Sequence, residues 1–254
     1  MRMRFKPYAR PELLACDFHV HEPLTHGGHW HELYARPDQP WHLELGCGKG
    51  GFLAQIAPAH PDINYLGIDI TDKVLILAKR KVEAAYAERS IPADNVKIAS
   101  LDIERLGNAF TPDDRVARIY INFCNPWSKN ASSNKHRLTY PRQLIQYRDF
   151  LKDGGDIYFK TDDDDLFRDS LSYFPASGYD IIWQTYDLHE NEPEWNIRTE
   201  HEGMFTEMGI KIKALIARKK AGDDSVTWVE PKVLKKLAAQ AEAEAKAAEG
   251  EANV

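Results

Sequence analysis

Residues 41–51 read Trp41-His42-Leu43-Glu44-Leu45-Gly46-Cys47-Gly48-Lys49-Gly50-Gly51. A short apolar run breaks into four glycines within six residues. The run predicts a strand over 41–46 and the glycines a tight loop that opens a helix over 51–58. Glycines at such a turn let the backbone approach a ligand, and the helix start offers free amides. Working outward, short apolar runs alternate with longer segments of helical spacing. Further strands are predicted over 63–69, 96–100, 116–123, 156–161, 181–187 and 210–217. Helices are predicted over 71–89, 141–151 and 162–174. In the first of these, Val74, Leu75, Ala78, Val82, Ala85 and Tyr86 form one apolar stripe, with a cap at Thr71 or Asp72. Gly154-Gly155 is read as ending the helix over 141–151. Such alternation predicts an α/β fold with a doubly wound, mostly parallel, seven-stranded sheet. The last two strands follow one another with no helical pattern between them. They predict a hairpin-like pair and one antiparallel strand in the edge region.

The strand ends carry the chemistry. Gly46, Gly48 and Gly51 satisfy G-x-G-x-x-G, which admits a dinucleotide. Two features favour S-adenosylmethionine. Glu44 places a carboxylate just before the first glycine, where it repels a pyrophosphate and attracts an ammonium or sulfonium. No partner site for hydride transfer is evident elsewhere. Asp69 ends the second strand, where an acid takes ribose hydroxyls in either reading. Asp102 follows the third strand, within reach of an adenine amino group. The fourth strand runs into Asn122-Phe123-Cys124-Asn125-Pro126-Trp127. There an amide, a fixed proline and an aromatic ring suit the orientation of an acceptor base.

Composition sets outer limits. The 254 residues hold 33 basic and 39 acidic side chains, a net charge of −6 that leaves nucleic acid open as a partner only if the basic residues are clustered. Arg2, Arg4, Lys6 and Arg10 lie in an acid-free decapeptide, and Lys129, Lys135, Arg137 and Arg142 in a second acid-free stretch. Both are candidate phosphate contacts. No apolar run reaches the ~18–20 residues of a membrane span. Cys16, Cys47 and Cys124 are too few for a disulfide framework, which favours a reducing cytoplasm. Neither Cys47 nor Cys124 has a sequence neighbour that marks a nucleophile. The histidines between His19 and His31 match no strong zinc spacing, so no metal is expected. Residues 1–40 read as an N-terminal arm, 41–220 as the catalytic domain and 221–254 as a solvated tail.

Taken together, certain segments resemble the bacterial tRNA (guanine-N7-)-methyltransferase family. They are Met1-Arg2-Met3-Arg4 with Lys6-Pro7, residues 42–50, Asn64–Asp69, Asn122–Trp127, Arg137–Tyr140, Phe159–Asp162, Asp187–His189 and Thr199–Glu202. The resemblance spans residues 1–219. It implies a Rossmann-like class I methyltransferase fold and transfer of the S-adenosylmethionine methyl group to N7 of a guanine in the tRNA variable loop. It matches Glu44, Asp69 and Asp102 to the family's cofactor-binding acids, beside the cofactor glycines Gly46 and Gly48 of the loop, and places Asn125 where members have an Asp implicated in cofactor binding or catalysis. Lys129, Asp162, Thr199, Glu200, His201 and Glu202 go to the guanine or the tRNA. No obligatory protein subunit is implied; a monomer or homodimer is expected. Two departures stand out. Asn125 replaces the family's usual Asp, and residues 128–136 are less basic than usual. The alternatives are a methyltransferase of another acceptor and a silent tRNA-binding homologue.

Overall fold

The computed structural model describes residues 6–127, 131–222 and 226–227. Lys129, Arg2, Arg4 and the tail beyond 227 lie outside them. The glycine stretch follows β2 (Trp41–Leu45). Around it lie β3 (Asn64–Asp69), β4 (Val96–Ser100), β5 (Val116–Asn122), β6 (Leu151–Thr161), β7 (Tyr179–Thr185) and β8 (Lys213–Lys219). One further strand, β1 (His19–Val20), pairs in parallel with β4. The sheet therefore has eight strands, not the seven predicted, in the order β1-β4-β3-β2-β5-β6-β8-β7. A two-residue strand has no periodicity to betray it.

β8 runs antiparallel to both β6 and β7 and lies one position in from the edge. The connection between β7 and β8 is not bare, as the sequence pattern suggests. It contains a helix, α6 (Glu200–Glu207). β6 also starts earlier than predicted. Gly154, with φ +70°, lies inside it rather than ending the preceding helix.

Alternation along the strands makes two cores. Leu43, Leu45, Leu66, Ile68, Ile119, Ile121, Ile157 and Phe159 face one side. They pack against α4 (Pro141–Phe150) and α5 (Asp164–Ala176) through Leu144, Tyr147, Phe150, Leu166, Phe167 and Phe174. The opposite face carries Tyr65, Val96, Ile98 and Tyr120. It is covered by α2 (Leu53–Ala59) and α3 (Asp72–Arg89). The segment read as an arm adds α1 (Ala9–Leu14), whose Ala9 and Leu13 join this second core. The fold is thus helix–sheet–helix, and the parallel strands end on one common rim. Among the described residues no helix is long and apolar enough to cross a membrane.

Candidate active site

The rim at the ends of β2 and β5 encloses a cleft of about 440 Å³. Glu44, Gly46, Gly48, Asn122, Thr199, Glu200 and His201 are among the residues that line it. The glycine loop is seated on β3, because the amides of Gly46 and Cys47 both donate to the Ile68 carbonyl at 2.9 Å. Gly48 adopts φ +54°, a left-handed conformation that glycine takes without strain. Its amide then points to Asp69, whose Oδ2 accepts at 3.1 Å. Asp69 thus stands directly behind the loop. Burial pushes its pKa up, against the backbone amides of Gly48, Thr71 and Ile70 that pull it down.

Glu44 is only 4% exposed. Its Oε1 accepts from Asn122 Nδ2 at 3.0 Å, while its buried Oε2 has no partner among the described residues. Burial pushes its pKa up to about 7, against the pull of Asn122 and Lys160. An orphaned carboxylate oxygen at a cleft wall is a costly arrangement unless something cationic or hydrogen-bonding meets it. Glu44 and the cradle of Gly46 and Gly48 therefore fit the amino-acid end of a sulfonium cofactor. Asn122, which sets the direction of Glu44, stands in the sequence only as part of the segment 122–127, with no role of its own. Its signal is the amide that closes β5.

α6 forms the far wall. Thr199 caps it, its Oγ1 accepting from the Glu202 amide at 3.3 Å. Thr199-x-x-Glu202 has the spacing of a capping box, yet the Glu202 carboxylate does not reach back to the cap. It turns inward and is fully buried. There it meets the Lys160 ammonium, His189 Nε2 at 2.8 Å and Asn196 Nδ2 at 2.8 Å. Lys160 also donates to Asn196 Oδ1 at 2.9 Å and the Ile197 carbonyl at 2.7 Å. Glu202 thus sits beneath the cleft and fastens α6 to the end of β6. The Phe123 ring, stacked on His201 and Phe205, makes the apolar half of the same attachment. Glu192 lies close to His189 and Glu202 in a grouping of metal-ligand type. Its charge is met by Arg198 and that of Glu202 by Lys160.

Other residues singled out in the sequence lie apart from this lining. Asp102 is exposed, caps the turn that follows it by accepting from the Glu104 amide at 3.0 Å, and borders a neighbouring cavity with His19 and Arg105. Asn125 is exposed, and its Oδ1 accepts from the Trp127 amide at 3.1 Å. The loop it shapes is bracketed by Phe123 and Trp127, at φ +52° and +50°. Two non-glycine residues in the left-handed region mark stored strain, a feature of functional loops. Asp162 is half-buried just after β6. Burial raises its pKa, with His201 and Lys213 close enough to pull against it. Arg137, grouped with the phosphate contacts in the sequence, is 2% exposed. It holds the loop from behind through the Pro126 carbonyl at 2.6 Å and Asp169 at 2.6 Å. Burial raises the Cys47 thiol well above its usual range and pushes Cys124 up to about 12, so neither is a ready nucleophile. Trp195 packs edge-on against Tyr158 and Trp183.

A doubly wound sheet with one inserted antiparallel strand, a glycine loop after β2 and a buried acid beside it defines a Rossmann-like methyltransferase. The family described as putative methyltransferase matches residues 38–215. A tRNA (guanine-N(7)-)-methyltransferase of Clostridium perfringens is 53% identical over 219 residues, 86% of this chain and 100% of its own length. A protein of the same name from Clostridium beijerinckii is 55% identical over 219 residues, 86% of this chain and 99% of its own length. Among solved structures, the 16S rRNA methyltransferase KamB superposes with a TM-score of 0.53 at 12% identity. It covers 86% of this chain and 95% of its own, a likeness of fold. The chain belongs to the tRNA (guanine-N7-)-methyltransferase family, and its methyl donor is S-adenosylmethionine.

Proposed function

We propose that this protein methylates N7 of a guanine in the variable loop of tRNA and works in the cytoplasm. The observation that carries the reading is the unpaired, buried Glu44 oxygen beside the glycine loop, in a chain that spans the whole length of relatives bearing that name. Bound S-adenosylmethionine supplies an electrophilic methyl group on a sulfonium. In this reading Glu44 holds the cationic end, Gly46 and Gly48 make room for it, and Asp69 and Asp102 take the nucleoside end. Guanine N7 has a lone pair and no proton to lose. The chain therefore needs no general base, and its task is alignment. Asn125 shapes the loop that faces the acceptor. Asp162 is an acceptor-only partner, when ionised, for the guanine N1–H and amino edge. Thr199, Glu200 and His201 form the substrate wall, with Glu202 holding that wall in place. Lys129 is assigned to tRNA by resemblance alone.

Radiolabelled methyl transfer to unmodified tRNA, with a variable-loop guanine-to-adenine control and a mapped product, tests the reading. Label is expected at the variable-loop guanine N7 and absent from the control. Equal label in the control would assign another acceptor. Cofactor binding without any transfer would make the protein a silent tRNA binder.

A further inference from the structure

The cleft holds a second pair of charges that neither the sequence pattern nor the resemblance singles out. Lys81, half-buried on α3, and Lys49, exposed in the glycine loop, line the cleft together with Glu44 and Glu200. Lys81 forms an ion pair with Glu200, the first residue of α6. That pairing lays the exposed Glu200 carboxylate over Gly51, where an added Cβ would lie 2.3 Å from Glu200 Oε2. Gln55 ties the same two segments by donating to the carbonyls of Gly51 at 2.8 Å and Arg198 at 2.9 Å. Two carboxylates and two ammonium groups around one cleft form a receptor for a zwitterion. Glu44 is buried and short of a partner. The ammonium groups stand near Glu200, and Lys81 is engaged by this carboxylate from a different element. We infer that Lys81, assisted by Lys49, binds the α-carboxylate of the cofactor, and that Glu200 holds this position until the carboxylate replaces it. Glu200, released, is then free to face the acceptor from α6. Occupancy of the cofactor end is thereby coupled to the substrate wall. The inference rests on the cleft being the S-adenosylmethionine site.

Calorimetric titration with two probes tests it. S-adenosylhomocysteine carries the amino-acid carboxylate; 5′-methylthioadenosine lacks the amino-acid end altogether. Lys81→Met is expected to weaken S-adenosylhomocysteine about tenfold, the worth of one charge-assisted contact at a part-exposed site, and to leave 5′-methylthioadenosine within about twofold. Glu200→Gln removes the competing carboxylate and is expected to tighten S-adenosylhomocysteine about threefold without moving the truncated probe. An unchanged S-adenosylhomocysteine affinity in Lys81→Met, or equal losses for both probes, overturns the assignment of Lys81. Weaker S-adenosylhomocysteine binding in Glu200→Gln overturns the exchange. If the wild-type protein binds neither probe, the cofactor reading of the cleft itself has failed, a result distinct from either of these.

Discussion

Replacing Glu44 with glutamine should make the cofactor-free protein more stable while destroying its cofactor site, and the gain should grow as pH rises from about 4.5 to about 7 and hold above that. The folded pKa of Glu44 stands at about 7, against 4.5 for the free side chain, because burial disfavours the carboxylate. Between those values the native state keeps a proton that the unfolded chain has released. Stability therefore falls as pH rises through this window and stays low above it. The rise from 4.5 to about 7 corresponds to ~3 kcal/mol lost by pH 8 relative to pH 4.5. Glu44→Gln keeps the shape and the acceptor facing Asn122 Nδ2 and has no charge to bury. Near pH 5 the variant and the wild type should differ little. Near pH 8 the variant should be more stable by up to ~3 kcal/mol, or about 6–12 °C in melting temperature for a chain of this size. Parallel urea melts at the two pH values provide the assay. The same carboxylate must be ionised to meet a cation, so wild-type affinity for S-adenosylmethionine should rise with pH through 7, with proton release on binding below it. Buffers of differing ionisation enthalpy measure that proton. A stability difference that is flat across pH would refute the claim that Glu44 is a buried, uncompensated acid.

Substitutions at Lys160, Gly50 and Asn125 also have definite outcomes. Lys160→Met leaves the buried Glu202 carboxylate without its main charge partner and should cost about 3–5 kcal/mol; Lys160→Met with Glu202→Leu should recover much of it, as denaturant titration would show. Gly50→Ala should cost about 3 kcal/mol, because φ is +74° and the new Cβ would lie 2.8 Å from Ala78. Asn125→Asp should retain activity within a few-fold, since a carboxylate oxygen accepts the Trp127 amide as the amide oxygen does. Asn125→Ala should lose about tenfold in kcat/KM through misalignment of the loop, and single-turnover methyl transfer separates the two variants.

The sequence exposes what is local and periodic. The βα turn at Gly46–Gly51, the acids at successive strand ends and the apolar stripe of α3 are all readable, because period and spacing alone specify them. What escaped depends on tertiary partners. β1 exists because His19 and Val20 find the free edge of β4, which no local pattern announces. α6 has one buried residue, Glu202, and so lacks the apolar stripe by which helices are recognised. Arg137 has the composition of a phosphate contact, yet the fold spends it on the Pro126 carbonyl and Asp169. Asn122 and Lys81 become site residues only because β2 lies beside β5 and α6 folds back over the glycine loop.

Two buried glutamates show how the chain separates binding from scaffolding. Glu44 and Glu202 share a side chain and near-complete burial. Burial raises both. At Glu44 it wins, because one oxygen is left bare and Lys160 acts only from a distance. At Glu202 burial is overcome by Lys160, with Asn196 and His189 completing the set, and the group stays below its usual value. Lys160 thus serves both acids unequally, fixing the one and only moderating the other. Moving that ammonium toward Glu44 would stabilise the empty protein and neutralise the charge meant for the ligand. Its engagement with Glu202, Asn196 and the Ile197 carbonyl prevents this. The placement of one lysine therefore leaves a single uncompensated acid on the cleft wall, and the instability predicted for Glu44 at high pH is the thermodynamic trace of a site built for a cation.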